Sequence, residues 1–565
     1  MTKLFIADRS ARVSSGLAGA AMVAGAGIEY SADPAYVWNG RPSRNRRVAL
    51  VSGGGAGHEP MHAGFVGTGG LDAACPGEIF TSPHNRQIYV ACAKVALREG
   101  VLQIVKNYTG DVLNFSIAAE RLRADGVPVE QVLVDEDWGS RDVGEVGRRG
   151  TAATVVVEKV LGAAADAGLG LQELATLGRT LVAESRTIAV AAEAHRNPSA
   201  SGDRAFDVPD GELEYGVGIH GEPARERIPA TDLPTLVARM VDELTADMSV
   251  PDGVVVLVNG LGGTGQLELL HVADEVGRSL AGRGIQIRSM VAGAYCTALD
   301  MRGLSLTLVA SSPRWLDYWL ADHDTAALPT PRAFSASTEK ASPARDPEPN
   351  PQPSQWLAGL AGGIERRRAQ FNALDQTAGD GDFGDNLLSG VSKAVLRSAP
   401  DGGLGVDVRL LASAYLDDVG GSSGPLLGLI LGAVATRIDG VAAAQLPAAL
   451  LAGLSDALTA VQRAGGAQRG DRTLVDTLAG IVDDTASRGQ GALDEGAVRS
   501  AIAAADSTRD MVARRGRAAY VGERALGSPD PGAVAVAWLT VALWDAAVGS
   551  ESGLAESVDA LLPNS

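Results

Sequence analysis

The sequence predicts an α/β unit followed by an all-helical unit, and three observations carry this prediction. In the first part of the chain, short apolar runs rich in β-branched residues end in glycine or polar loops and alternate with helix-like stretches. In the last part, alanine and leucine recur at helical spacing with hardly any β-branched run. A proline-rich segment, residues 329–355, separates the two parts.

The proline-rich segment gives the predicted domain boundaries. It holds seven prolines among Ser, Ala, Glu, Lys and Arg, so it buries too little surface to fold and stays extended. A chain of 565 residues is also too long for one ordinary domain. We therefore predict an α/β domain at 1–328, a linker at 329–355 and a helical domain at 356–565.

The apolar runs of the first domain are predicted strands. Each ends abruptly in a glycine or polar loop, and in an α/β protein the ligand groups gather at the carboxyl ends of the strands. Two stretches between them, 88–99 and 114–125, have the pattern of helices. The predicted strands are 48–52, 101–105, 132–134 and 254–258.

The composition of the chain disfavours several classes of binding partner. With 49 basic and 68 acidic residues the net charge is −19, which disfavours general binding to nucleic acid or to an anionic membrane. No stretch reaches the roughly 18–20 uncharged apolar residues that a membrane-spanning helix needs. Three cysteines without metal-ligand spacing are typical of a reducing compartment. We expect a cytoplasmic protein with no nucleic-acid or membrane partner.

The helical domain contains four carboxylates within eleven residues, at Asp375, Asp380, Asp382 and Asp385, with no basic residue among them. Such a cluster repels itself unless cations bind, and hard oxygen ligands suit Mg²⁺, including two ions beside a triphosphate. A polar Gly/Asp turn is the alternative. A calcium loop of EF-hand type is excluded, because Val391 stands where the bidentate Glu should be.

Further glycine-containing loops of this domain indicate a nucleotide. Residues 420–424 and 470–473 each open a predicted helix, whose free N-terminal amides can hold phosphate oxygens. The segments 516–520 and 530–532 are two further glycine-containing loops of this domain. Each loop alone is a weak signal, and together they favour nucleotide binding. A Walker P-loop is excluded, because no lysine in the chain follows a glycine.

With these motifs the second domain resembles the nucleotide-binding L domain of the dihydroxyacetone kinase family, an eight-helix barrel that binds ATP and two Mg²⁺. The resemblance implies that Asp375, Asp380 and Asp382 are the metal ligands. Asp385 is an additional acid of the same loop. The implied nucleotide contacts are Phe383, Gly384, Asp385, Asn386, Ser422, Ser423, Gly470, Arg517, Asp530, Pro531 and Gly532.

The first domain resembles the substrate-binding K domain of the same family, which consists of two α/β subdomains. Residues 51–60 read Val-Ser-Gly-Gly-Gly-Ala-Gly-His-Glu-Pro, where the family usually has SGGGSGHEP, and residues 62–67 match the HAGxVG that follows it. Residues 77–83 and 218–223 match two further family stretches. The match spans essentially the whole chain, in the K-then-L order of the fused, ATP-using kinases.

The resemblance also assigns roles to single residues of the K domain. A neutral imidazole nitrogen is a competent nucleophile toward a ketone, and in the family the equivalent of His220 bonds the substrate C2 as a hemiaminal. His58 is implied to hydrogen-bond the substrate and to assist proton transfer. Asp111 is implied to be the general base and Lys106 a substrate contact. The implied substrate contacts are Gly55, Ala56, Gly57, His58, Lys106 and Asp111.

The same residues have other interpretations when the resemblance is set aside. A single histidine between glycines, such as His220, is more often structural or exposed, and Lys106 and Asp111 would pass as a loop ion pair. His62 is predicted to be a packing residue of the glycine loop. The remaining histidines are predicted to be surface or satisfied core residues, namely His195, His271 and His323.

The expected function is ATP-dependent phosphorylation of a short ketose on a terminal hydroxyl. Polar residues 84–87, beyond the match at 80–83, could hydrogen-bond an additional hydroxyl and favour erythrulose over dihydroxyacetone. A dihydroxyacetone-specific kinase, a phosphotransfer-relay member and a ligand-sensing regulator remain alternatives. Some family members also cyclise FAD with the L domain alone. The resemblance further implies a homodimer.

Overall fold

The computed structural model places the chain in two compact units, Met1–Ser337 and Thr338–Ser565, each with its own apolar core. The structure describes residues 12–141, 147–197, 203–335, 352–377, 379–400, 402–515, 517–520 and 522–563. Most of the predicted linker, 336–351, lies outside the described residues.

The described part of the first unit is an α/β structure of fourteen strands and eight α-helices. The strands are β1 (Ile28–Ala32), β2 (Ala35–Asn39), β3 (Ala49–Ala56), β4 (Gly67–Thr68), β5 (Ala73–Ile79), β6 (Val101–Lys106), β7 (Val129–Val134), β8 (Ser185–Glu193), β9 (Glu212–Tyr215), β10 (Glu226–Pro229), β11 (Val254–Gly260), β12 (Ile287–Gly293), β13 (Arg302–Ala310) and β14 (Asp324–Thr325). The helices are α1 (Arg12–Ala24), α2 (Asn85–Val95), α3 (Thr109–Ala124), α4 (Ala153–Asp166), α5 (Leu171–Ala183), α6 (Leu233–Thr245), α7 (Gln266–Gly282) and α8 (Leu316–Leu320).

The strands of this unit form two six-stranded sheets and one two-stranded ribbon, β14-β4. The first sheet has the order β1-β2-β5-β3-β6-β7, in which β5, β3, β6 and β7 are parallel. The second has the order β10-β9-β8-β13-β11-β12, in which β11 and β12 are the parallel pair. Two sheets with helices packed on them agree with the expected pair of α/β subdomains.

The strand β3 is longer than the sequence predicts. Residues 53–56, where the sequence predicts a loop, continue the strand and pair in parallel with β5, for example Gly53 with Cys75. Glycine is required there, because a Cβ on Gly53 would overlap the carbonyl oxygen of Cys75. Every residue of β3 is buried, so the strand carries its carboxyl end into the interior of the unit.

Two helices of the first unit begin earlier than the sequence predicts. The helix α2 begins at Asn85 and not at residue 88, because the side chain of His84 accepts a hydrogen bond from the Gln87 N–H as an N-cap. The helix α3 begins at Thr109 and not at residue 114. Its first turn therefore includes Asp111, which the sequence places in a loop.

The described part of the second unit is all helical, as predicted. Its α-helices are α9 (Gln355–Gln376), α10 (Phe383–Arg397), α11 (Gly403–Asp418), α12 (Ser423–Ile438), α13 (Leu446–Gly465), α14 (Leu474–Ser487), α15 (Glu495–Ser507), α16 (Pro531–Val548) and α17 (Ala555–Asp559). One apolar cluster runs through all the long helices, from Leu357 on α9 to Val541 on α16. The eight long helices agree with the expected eight-helix barrel.

Two helical segments have the length and hydropathy of a membrane span, Ala443–Gly465 with a mean hydropathy of 1.3 and Pro531–Val548 with 1.5. Both segments contain charged residues, Asp456 and Arg463 in the first and Asp545 in the second, so neither is an uncharged run of 18–20 residues. The second segment is α16, which is apolar on all sides and mostly buried among the other helices. A buried core helix passes the same test, so two such helices are weak support for a membrane protein.

Candidate functional site

The strand ends of the first unit bring distant parts of the chain together. His58 follows β3, Lys106 is the last residue of β6, and His220 follows β9 in the other sheet. His58 Nε2 lies 3.0 Å from His220 Nε2. The carboxyl ends of strands thus form a candidate site, as expected for an α/β fold.

Two glycines of β3 let other groups approach the strand closely. A Cβ on Gly54 would lie 2.6 Å from Lys106 Nζ, and a Cβ on Gly55 would lie 2.7 Å from the backbone nitrogen of Thr81. Both approaches need the absence of a side chain. Glycine at these positions therefore admits the ammonium group of Lys106 and the segment after β5. Residues 54–57 also line a cavity of about 230 Å³ beneath α1.

The two paired histidines are anchored from both sides. His58 Nδ1 lies 2.7 Å from the carbonyl oxygen of Thr297, and His220 Nδ1 lies 2.8 Å from the carboxylate of Glu222. Burial, with the nearby charges of His220 and Lys106, holds the pKa of His58 well below its usual range. His58 is therefore neutral at physiological pH.

Aromatic rings enclose His220. The rings of Phe80 and Tyr108 have their centroids 5.3 Å and 4.5 Å from the ring of His220 in edge-on geometry. His195 packs edge-on against Phe80, and its Nε2 lies 3.3 Å from the carbonyl oxygen of His220. No sequence pattern places His195 here, because 25 residues separate it from His220. It is a satisfied core histidine, as predicted, and it also forms part of the site wall.

A buried relay of three side chains holds Lys106. Lys106 Nζ lies 2.8 Å from His62 Nε2, and His62 Nδ1 lies 2.6 Å from Glu158 Oε1. Burial lowers the pKa of His62, although the charge of Glu158 acts in the opposite direction. His62 thus links a lysine to a carboxylate, a more specific role than the packing role that the sequence predicts.

Asp111 lies in the first turn of α3 and is almost fully buried. Its Oδ1 atom has no hydrogen-bond partner in the protein. Among the described residues, no ion pair joins Asp111 to Lys106, so the interpretation of the two as an ordinary loop ion pair is wrong. A buried carboxylate oxygen without a partner is costly unless a ligand supplies the hydrogen bond.

Three of the four polar residues at 84–87, namely His84, Asn85 and Gln87, make hydrogen bonds within the fold. His84 Nδ1 caps α2, and the amide of Gln87 donates to the carbonyl oxygens of Ala35 and Pro76. The Asn85 side chain accepts from Arg121 at 3.0 Å. These contacts leave little capacity for the additional substrate hydroxyl that the sequence argument assigned to this segment.

In the second unit, four helix N-termini meet at one cavity. The helices α10, α12, α14 and α16 begin there, around a volume of about 430 Å³. Free backbone amides and the positive end of each helix dipole favour phosphate groups at such a place. The predicted helix-opening loops thus converge, although more than 140 residues separate the first from the last.

Three acids stand at one side of this cavity. The carboxylates of Asp375, Asp380 and Asp382 have ligand oxygens that all lie within 4.8 Å of one another. Asp375 also accepts the Gly381 N–H at 2.9 Å, and burial together with the charges of Asp380 and Asp382 raises its pKa. Mutual repulsion, oxygen donors and this spacing fit a magnesium site, as predicted.

The structure separates the predicted nucleotide contacts into two groups. Gly384 and Asp385 do not line the cavity, because their backbone N–H groups turn to Asn372 Oδ1 on α9. Gly470 is likewise absent from the wall, and its N–H donates to Asp476. The side chain of Arg517 lies outside the described residues. The predicted contacts that do line the cavity are Phe383, Asn386, Ser422, Ser423, Asp530, Pro531 and Gly532.

Arg472, which is not among the predicted contacts, lines the same cavity and has a left-handed backbone with φ of 59°. Its Nη2 donates to the carbonyl oxygens of Ala525 and Ser528, and burial lowers the pKa of the guanidinium. Burial also raises the pKa of Asp530 beside it to about 6. The Gly-Asp-Arg-Thr motif at 470–473 is the sequence pattern that could have indicated Arg472, but only Gly470 of this motif is a predicted nucleotide contact.

Two family models match this chain, the Dak1 domain over residues 18–327 and the DAK2 domain over residues 377–545. The chain belongs to the dihydroxyacetone kinase family. The order of the two domains agrees with the fused members that the sequence resembles.

Members of the dihydroxyacetone kinase family match most of the chain. Triokinase/FMN cyclase of Homo sapiens is 38% identical over 523 residues, which are 87% of this chain and 90% of that protein. Dihydroxyacetone kinase 2 of Saccharomyces cerevisiae is 35% identical over 542 residues, again 87% and 90% of the two proteins. The crystal structure of the dihydroxyacetone kinase from C. freundii in complex with AMP-PNP and Mg²⁺ is 29% identical, with a TM-score of 0.63 and coverage of 99% and 100%.

Membership of the dihydroxyacetone kinase family confirms the predicted family, fold class and enzyme class. The C. freundii relative binds AMP-PNP and Mg²⁺, in agreement with the predicted nucleotide and metal.

Proposed function

We propose that this protein is an ATP-dependent kinase of short ketoses that phosphorylates a terminal hydroxyl. The observation that carries the proposal is the contact of His220 with His58 at the strand ends, close to Lys106. These residue types supply a nucleophile, a proton acceptor and a cation. The second unit supplies the cavity with acids and helix N-termini, which suits ATP.

The ketose is held by His220 in this proposal. Nε2 of His220 bonds the carbonyl carbon to give a hemiaminal, so the site selects ketones and rejects polyols that lack a carbonyl. His58 and Lys106 hydrogen-bond the captured substrate. Covalent capture orients the terminal hydroxyl for reaction, which is a large part of the advantage of an enzyme over solution.

Asp111 acts as the general base in this proposal. Its unpartnered Oδ1 accepts the proton of the terminal hydroxyl as that oxygen approaches phosphorus. The position of Asp111 in the first turn of α3 is consistent with a fixed carboxylate, because helix backbone holds it in place.

The nucleotide binds in the cavity of the second unit, with its phosphates at the N-termini of α12 and α14. Asp375, Asp380 and Asp382 hold Mg²⁺. When bound, Mg²⁺ neutralises charge on the transferred phosphoryl group. The buried guanidinium of Arg472 adds a positive charge at the same wall.

The proposal keeps the domain boundaries at 1–328, 329–355 and 356–565, and a homodimer as the assembly. It also keeps two ketoses as substrates, dihydroxyacetone and one enantiomer of erythrulose. The support for a preference between them is weakened, because the side chains of His84, Asn85 and Gln87 already make hydrogen bonds within the protein.

A nucleotide cyclase is a second candidate activity. A relative that is 38% identical carries the name triokinase/FMN cyclase. The acid cluster and the cavity lie within the second unit, so a reaction of FAD there needs no residue of the ketose site. We expect Asp382→Ala to remove FAD cyclisation and His220→Ala to leave it unchanged. Loss of cyclisation in both variants would contradict this separation.

The test of kinase function is a coupled assay that measures ADP released by purified protein with ATP, Mg²⁺ and a ketose. Turnover with dihydroxyacetone or erythrulose, and none with glycerol, is expected. Turnover that requires a phosphorylated partner protein would identify the relay form of the family instead. Ketose binding without any turnover under either condition would favour the ligand-sensing alternative.

A further inference from the structure

The carboxylate of Glu222 makes two hydrogen bonds with one residue, His220. Oε1 accepts Nδ1–H at 2.8 Å, and Oε2 accepts the backbone N–H at 2.9 Å. Gly218 leaves the space for this arrangement, because a Cβ there would overlap Oε2. The contact fixes which nitrogen of the imidazole faces the site, since the partner of one ring nitrogen determines the role of the other.

The partners of the two histidines define where their protons lie. Burial alone would raise the pKa of Glu222, but the hydrogen bonds and charge of His220 lower it to about 2, so the carboxylate only accepts. The carbonyl oxygen of Thr297, 2.7 Å from His58 Nδ1, also only accepts. Both Nδ1 atoms therefore carry a proton.

The two Nε2 atoms then face each other at 3.0 Å. Two lone pairs at that distance repel, whereas one proton between them forms a charge-assisted hydrogen bond. The shared proton gives the pair one positive charge, and the carboxylate of Glu222 lies on the His220 side of the pair.

We propose that Glu222 is a positioning residue for ketose capture: it orients His220 and holds the proton that His220 shares with His58 ready for the ketone oxygen. This inference rests on the covalent capture in the proposed function. It assigns a role to a carboxylate whose two hydrogen bonds both go to His220.

The capture step conserves protons and charge. His58 Nε2 takes the shared proton, and the freed lone pair of His220 Nε2 forms the bond to the carbonyl carbon. The electrons of the C=O π bond move to oxygen, which takes the proton from His58. His220 ends as an imidazolium substituted at Nε2, with Nδ1–H still on Glu222. The protein and ketose together neither gain nor lose a proton.

The charged groups around His58 and His220 determine how pH affects the proton that the two histidines share. On the His58 side, positive charges disfavour a second proton. On the His220 side, the hydrogen-bonded carboxylate of Glu222 favours the shared one. The titratable and charged groups that face the pair are Lys106, His62, Tyr108, Arg149, His195 and Glu222.

The test compares the wild type with Glu222→Gln and with Glu226→Gln, which removes a nearby carboxylate that pairs with Arg225 and Arg239. The ketose KM is measured from pH 6 to 9. In Glu222→Gln we expect a rise of about tenfold or more in ketose KM, with the ATP KM unchanged. Capture should also fail at a lower pH in Glu222→Gln than in the wild type, because the shared proton no longer has the carboxylate anion of Glu222 beside it. The Glu226→Gln protein should match the wild type.

Equal ketose KM and equal pH profiles for wild type and Glu222→Gln would overturn the role of Glu222 and leave the kinase function in place. A wild type that phosphorylates no ketose at any pH would instead overturn the proposed function. Nitrogen-15 NMR of histidine-labelled wild type is independent of any variant. Protonated Nδ1 atoms on His58 and His220 with one shared Nε2 proton are expected, and an unprotonated Nδ1 on His220 would overturn the inference.

Discussion

His58 Nε2 and His220 Nε2 lie 3.0 Å apart, although 162 positions separate the residues in the sequence. One follows a strand of the first sheet and the other a strand of the second, so the contact requires both subdomains to be folded. The proposed ketose site therefore requires the complete first unit. Variants that weaken either sheet should weaken ketose capture even when they lie far from the site.

Replacing Asp382 with alanine should lower ketose phosphorylation by at least ~100-fold while leaving ketose capture intact, because the acid cluster and the histidine pair belong to different units. Replacing Asp380 with alanine should have the same two effects on phosphorylation and on capture. Turnover is measured with excess Mg²⁺, and capture by NMR of the bound ketose. Asp456→Ala, which removes an exposed partner of Arg437, is the matched control. A near wild-type rate for Asp382→Ala would place the metal elsewhere.

Replacing His220 with alanine should remove ketose capture and lower kcat/KM for the ketose by at least ~100-fold, because the nucleophile is lost. Binding of a non-hydrolysable ATP analogue, measured by calorimetry, should stay unchanged. The exposed His271 serves as the control, and its alanine variant should keep wild-type kinetics. Retention of most of the ketose kcat/KM in His220→Ala would contradict the covalent step.

Substrate size is tested by the ratio of kcat/KM for each erythrulose enantiomer to that for dihydroxyacetone. We expect activity on both ketoses. Because His84 Nδ1 is bound to the Gln87 N–H, His84→Ala should change stability and leave this ratio unchanged. A large drop of the ratio in His84→Ala would restore the original sequence argument for a contact with the additional hydroxyl.

Lys159 should make the free energy of unfolding of the first unit increase with pH in the alkaline range. Burial lowers the pKa of this ammonium from 10.5 to about 8, while it donates to the carbonyl oxygens of Tyr318 and Ala321. Between pH 8 and 10.5 the unfolded chain binds more protons than the folded one, so the free energy of unfolding rises with pH. The rise approaches about 3 kcal/mol by pH 10.5.

The measurement is urea unfolding of wild type and Lys159→Met at several pH values. Groups that titrate equally in both proteins cancel in the difference, which isolates the contribution of Lys159. The stability of the wild type relative to Lys159→Met should increase from pH 8 to pH 10.5. A constant difference across this window would contradict the lowered pKa.

Much of the architecture could be predicted from sequence patterns. The strands near whose carboxyl ends His58 and Lys106 lie, the helical second unit and the acid cluster were all predicted. Local patterns failed where tertiary pairing overrides propensity. The run 53–56 looks like a loop by composition, yet pairing of β3 with β5 makes it strand. His84 looks like a pocket residue, yet it caps a helix.

The sequence predicts the histidines and the acids that the structure brings together, but it does not predict the groups around them. Glu222 and Arg472 lie inside matched or glycine-containing segments, but their roles depend on distances that a sequence does not carry. His195 reaches the site through the approach of the loops after β8 and β9, which no spacing rule predicts. Conversely, the segments of Gly384, Asp385 and Gly470 are those that the resemblance assigns to the nucleotide, but their backbone N–H groups donate to other residues of the protein.

The most direct test of covalent capture is carbon-13 NMR of dihydroxyacetone labelled at C2 and bound to the wild-type protein. The account predicts a bound C2 signal of a tetrahedral carbon attached to oxygen and nitrogen, coupled to nitrogen-15 of labelled histidine. In His220→Ala only the free ketone and its hydrate should remain. A bound C2 signal in the ketone region of the wild-type spectrum, without coupling to a histidine nitrogen, would contradict the account.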